Sequence, residues 1–177
     1  MTQSTATPSD RAAAPMQRKP SARSPLYTPE ERARRDASKW TLVQGLLAPL
    51  QFLVMIVSTG LVVRTLLSGV GAELADLSVV VKTALLYTIM VTGSLWEKDV
   101  FGRYLFAGPF FWEDVVSMGV IALHTAYLAA LLGGLGSLEG RMLLALAAYA
   151  AYSVNAIQFL LKLRQARLMG SAEGSST

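Results

Sequence analysis

Glu97, Glu113, Asp114 and His124 are the residues of this chain best suited to moving protons, and His124 is its only histidine. The three carboxylates close the two ends of one segment, 96–114, which also holds Asp99, four of the six Phe residues and two of the three Trp. A carboxyl packed against aromatic rings can donate a proton near neutrality, while a better solvated neighbour stays ionised and accepts one. Two such groups supply general acid and general base at one centre. Trp96, Phe110, Phe111 and Trp112 would wall a large, flat, partly apolar ligand. The competing reading is an aromatic belt at a membrane interface, with Glu97–Lys98 and Asp99–Arg103 paired at the surface.

Other polar side chains interrupt long apolar runs, where they are costly and usually face a bundle interior. Gln44, Gln51 and Ser58 recur every seven residues and so share a helix face, with Pro49 between them to kink the helix. Glu113, Ser117, Val120 and His124 follow steps of four, three and four along another face. A carboxylate at that helix start also suits the dipole. Tyr152, Asn155 and Gln158 form a third stripe. Gln44, Gln51, Asn155 and Gln158 are therefore candidate ligand contacts, though interhelical amide bonding accounts for them equally well. His124 lies about 13 Å in from the helix end by helix rise. It is a candidate relay or metal ligand, or a hydrogen-bonded structural residue. Lys82 is expected to snorkel to headgroups, and on one helix it stands about 22 Å from Glu97. These positions together outline a polar-floored cavity beneath an aromatic loop.

The elements that must hold these residues are helices. The chain is 53% hydrophobic with 16% charged residues, and its mean hydropathy is +0.42, which suits a polytopic membrane protein. Four runs, about 42–67, 78–96, 115–135 and 141–163, are long enough to span a bilayer. The fold expected is all-α, a four-transmembrane-helix bundle over residues 26–165 with an acidic-aromatic loop at 97–114. Lys and Arg crowd before the first run, in the second loop and after the last run, which places both termini and that loop in the cytoplasm. Thr28–Lys39 reads as a juxtamembrane helix capped by Thr28, with Pro29 in its first turn and Glu31 at the third position. Residues 1–25 read as a disordered basic tail without the apolar core of a signal peptide, and 166–177 as a second tail. The net charge of +4 flanks the helices, so lipid headgroups rather than nucleic acid account for it. Without cysteine there is no disulfide or thiolate chemistry. No nucleotide, redox-cofactor or metal motif is present.

Several irregular strings resemble the vinyl-bacteriochlorophyllide hydratase family: 26–38 followed by Trp40-Thr41, Val80-Val81-Lys82-Thr83, 89–93, Trp96-Glu97-Lys98, Phe101-Gly102, 110–114 and 121–127. The resemblance covers most of 26–165 and is less distinct in the last helix. It implies a multi-pass protein of the bacterial inner membrane. The implied substrate is a magnesium chlorophyllide or bacteriochlorophyllide, whose 3-vinyl group gains water to become a 3-(1-hydroxyethyl) group in bacteriochlorophyll synthesis. No cofactor is needed for such a step. Glu97 or Glu113 would be the acid and another carboxylate, Asp114 first, the base, with His124 as alternative relay.

Two other classes compete. One is a membrane assembly factor that binds pigment without changing it. The other is a small transporter or proton-relay subunit built on Lys82, Glu97 and His124, against which the acids cluster on one side and no inverted repeat is evident. Small-residue spacings such as Ala147–Ala151 could pack a second copy, another pigment enzyme or the bundle itself.

Overall fold

The computed structural model describes residues 26–174, and every regular element among them is helical. Both 1–25 and 175–177, read above as tail sequence, lie outside the described residues. The elements are α1 (Pro29–Ala37), α2 (Lys39–Ser68), α3 (Ala72–Phe101), a 3-10 turn (Gly108–Phe110), α4 (Phe111–Leu132) and α5 (Leu138–Gly174). Four of these helices are long and apolar enough to cross a membrane, as in an integral membrane protein. At 30 residues each, α2 and α3 are about 45 Å long by helix rise and exceed the hydrocarbon core.

The helices outrun the apolar runs that announced them, except that α4 stops at Leu132 rather than 135. Polar flanks continue a helix until a residue accepts the left-handed conformation that ends it. Gly69, with φ 68°, closes α2 and Gly102, with φ 78°, closes α3. The loop expected at 97–114 shrinks accordingly. Glu97–Phe101 is the last turn of α3, and Phe111–Asp114 is the first of α4. Helix α5 continues past 163 and into the stretch read as tail, as far as Gly174; Arg167, Leu168 and Met169 are all good helix formers.

Helix α1 begins with the capping box its sequence announces. Thr28 Oγ1 accepts from the Glu31 N–H at 3.2 Å, and the Glu31 carboxylate accepts from the Thr28 N–H at 2.8 Å. It lies against the end of α3. Arg34 Nε donates to the Val100 carbonyl and Ser38 Oγ to Asp99, both at 2.8 Å. Tyr27 stacks on Phe101, and burial pushes its phenol above the ordinary range, partly offset by Arg35.

Helix α2 packs along α3 and α4 along α5, and α2 joins the two pairs through α5; α3 and α4 meet far less. One half of the interior is apolar, built on Met55, Val62, Val79, Tyr127, Met142 and Tyr149. At that end Asp76 accepts from Tyr127 and Arg141. The opposite end carries a second cluster of Tyr27, Trp96, Phe101, Phe110 and Phe159. Leu, Ile and Val on the outer faces stay exposed, as lipid contact requires.

Candidate active site

Below Gly102 the chain returns through Phe106, which holds φ 58° although it is not glycine. Such a conformation costs on the order of 1–3 kcal/mol and persists only where its surroundings impose it. Here two successive N–H groups are turned onto two carboxyls. Phe106 N–H donates to Asp114 Oδ2 at 2.7 Å, and Ala107 N–H donates to Glu97 Oε2 at 3.1 Å. Glu97 and Asp114 are 5% and 4% exposed, and the two carboxyls are near neighbours.

Glu113 turns the other way, to α5. Lys162 Nζ donates to its Oε2 at 2.7 Å and sits 5.2 Å from the centre of the Phe110 ring. Deeper, Asn155 Nδ2 donates to Ser117 Oγ at 2.7 Å. The remaining oxygen of Asn155 and the side-chain oxygen of Gln158 are buried without a partner. Phe110 touches Trp96 at 5.6 Å, Phe101 at 5.9 Å and Phe159 at 5.7 Å between ring centres. Trp96 Nε1 donates to Thr41 at 2.9 Å.

Nearer the middle of the bundle lies a second polar cluster. Lys82 is fully buried, donates to Gln51 Oε1 at 2.7 Å and stands 3.8 Å from the centre of the Tyr152 ring. It therefore does not snorkel, because the amide and the ring receive its ammonium inside the bundle. Gln51 also donates to the Leu85 carbonyl at 3.3 Å. Ser58 shares hydrogen bonds of 2.6 Å with Ser78 and with Tyr149. His124 is fully buried beside Tyr149, its Nδ1 2.8 Å from the Val120 carbonyl and its Nε2 without a partner.

Residues 27–165, which carry both clusters, match the model of the family described as 2-vinyl bacteriochlorophyllide hydratase. The chain belongs to that family. A protein of that name from Rhodobacter capsulatus is 64% identical over 88% of this chain and 90% of its own length. A second, from Cereibacter sphaeroides, is 65% identical over 81% of this chain and 89% of its own. No solved structure matches the chain.

Within this hydratase-family fold the expected residues divide. Glu97, Asp114, Trp96 and Phe110 come together at one end, with Glu113, Asn155 and Gln158 beside them. Phe111 and Trp112 pack on each other and are 43% and 70% exposed, so they wall no interior space. A helix turns about 100° per residue, and with Glu113 and Asp114 directed inward these two must face out. Gln51 and His124 belong to the central cluster, and Gln44 instead donates to Thr92 at 2.8 Å. The surface pairs Glu97–Lys98 and Asp99–Arg103 are not formed. Lys98 lies over Tyr104, and Asp99 takes Ser38. Three participants were missed. Lys162 continues the stripe of Asn155 and Gln158 by a step of four, so its spacing was readable. The turned N–H groups of Phe106 and Ala107 carry no side-chain signal at all. Among the described residues no group of three or more His, Asp or Glu could hold a metal ion.

Proposed function

We propose that this chain adds water to the vinyl group of a magnesium chlorophyllide or bacteriochlorophyllide, giving a 1-hydroxyethyl group. The observation that carries the chemistry is the Glu97–Asp114 carboxyl pair, buried beside aromatic rings and held by the N–H groups of one strained turn. The activity named for the two relatives supports the substrate class. Their name numbers the vinyl position 2, and the other of the two tetrapyrrole numbering conventions gives the same group the number 3.

In the proposed reaction the carboxyl proton of Glu97 goes to the terminal vinyl carbon. Positive charge develops on the carbon next to the macrocycle, which delocalises it. Water attacks there, and Asp114 takes the proton that water gives up. Proton transfer between the neighbouring carboxyls restores the starting state, so the sum is the addition of one water. Glu113, already paired with Lys162, holds water rather than donating to the vinyl group. Trp96 and Phe110 bear on the macrocycle edge.

The same reading puts both termini on the cytoplasmic side of the bacterial inner membrane. Arg34, Lys98 and Lys162 lie at the end of the bundle that holds the carboxyl pair, with Arg103 following α3 there, which supports it. The test incubates detergent-purified protein with vinyl pigment and follows absorbance and mass. Gain of one water with a blue shift establishes the reaction. Pigment bound but unchanged supports the assembly-factor reading instead. Full activity in folded Glu97→Gln and Glu113→Gln proteins would refute the assignment of roles.

A further inference from the structure

We infer that His124 is the axial ligand of the pigment's magnesium, an inference that rests on the substrate class proposed above. A backbone carbonyl only accepts, so the 2.8 Å contact with Val120 puts the imidazole proton on Nδ1. The neutral ring then presents a lone pair at Nε2, which is buried and unpartnered. A buried acceptor without a partner is costly and calls for a donor or a metal. The nearby donors are engaged: Lys82 by Gln51 and Tyr152, and the Tyr149 hydroxyl by Ser58. An imidazole oriented through its other nitrogen is how protein histidines are prepared to bind metal. A macrocycle fills four positions around its own magnesium, so a single protein nitrogen completes the site.

Depth agrees with this role. His124 follows Asp114 by ten residues, about 15 Å along α4, and helical side chains lean toward the N-terminus, here toward the carboxyls. In the pigment the vinyl group lies at the rim and the metal at the centre, so the two protein groups that meet them must be spaced along the bundle, as these are. One pose, with the ring plane along the helix axis, brings the vinyl group to Glu97–Asp114 and the metal to His124. The pigment reaches it from the lipid by parting α3 and α4, which pack far less than α2 on α3 or α4 on α5. The exposed hydrogen bond Tyr87–Thr125, 2.7 Å long, crosses that seam beside His124.

The experiment uses the full chain in lipid nanodiscs, with magnesium pigment and its metal-free counterpart. Wild-type protein should bind the magnesium form at least about tenfold more tightly and show a five-coordinate magnesium by resonance Raman. His124→Gly should lose that preference, and added imidazole should restore it. Equal binding of the two pigments by wild type, or an unchanged preference in the variant, overturns the ligation. Should the variant not fold, ring-¹⁵N-histidine labelling of wild type gives a single pair of ring signals, since there is one His. Its Nε2 resonance must move with magnesium pigment and not with the metal-free form. Hydration with an unmoved Nε2 overturns the ligation and keeps the hydratase. A moved Nε2 without hydration does the reverse.

Discussion

The boundary end and the middle of this bundle are both polar, but they are made differently. At the boundary, acidic side chains from α3 and α4 meet backbone N–H groups of a strained turn, and an ammonium from α5 closes the side. In the middle, a lysine is held with no carboxylate at all, by an amide and an aromatic face. The first arrangement gathers groups that are able to exchange protons. The second resolves a buried charge through neutral partners, which is what packing demands of any cation inside a membrane bundle. Burial alone therefore does not mark the reactive residues. The kind of partner does.

The sharpest way to separate the two regions is Glu97→Gln, expected to lower kcat about 10²–10⁴-fold while leaving the detergent unfolding midpoint nearly unchanged. Adding Asp114→Asn should cost much less than a second factor of that size, because groups acting as a unit are not additive. Independent, multiplying losses would show that the two carboxyls do not work as a pair.

Bridging the seam comes next. With Tyr87→Cys and Thr125→Cys joined by a short bis-thiol reagent, most turnover should vanish, while the unbridged double variant stays active. Unimpaired turnover after bridging would mean that pigment does not pass between α3 and α4.

The Lys82–Gln51 pair of the middle cluster should answer to stability instead. Lys82→Met leaves Gln51 Oε1 buried and unsatisfied and should cost about 1–3 kcal/mol. Adding Gln51→Leu should recover most of that, since replacing both partners by apolar groups is nearly neutral. Turnover per folded molecule should stay close to wild type in both. The smallest effect belongs to Thr28→Ala, which removes the α1 cap and should cost about 1 kcal/mol without changing the rate constant.

These contrasts also mark what the amino-acid order discloses. Helix number, the α1 cap and the shared face of Glu113, Ser117, Val120 and His124 were legible, because each depends on local spacing. Lys82 was misread because its partner Gln51 lies 31 positions away on another helix, and spacing along one helix is silent about that. Phe111 and Trp112 looked like ligand walls because composition shows gathering without direction. The turn at Phe106 was invisible, since nothing in a phenylalanine announces a positive φ.

Helix α1, fastened to the end of α3 through Arg34 and Ser38, has no buried residue of its own. It is a mooring. Whatever displaces α1 pulls on the last turn of α3, which carries Glu97. Removing that helix would loosen the carboxyl pair without altering a single atom of it.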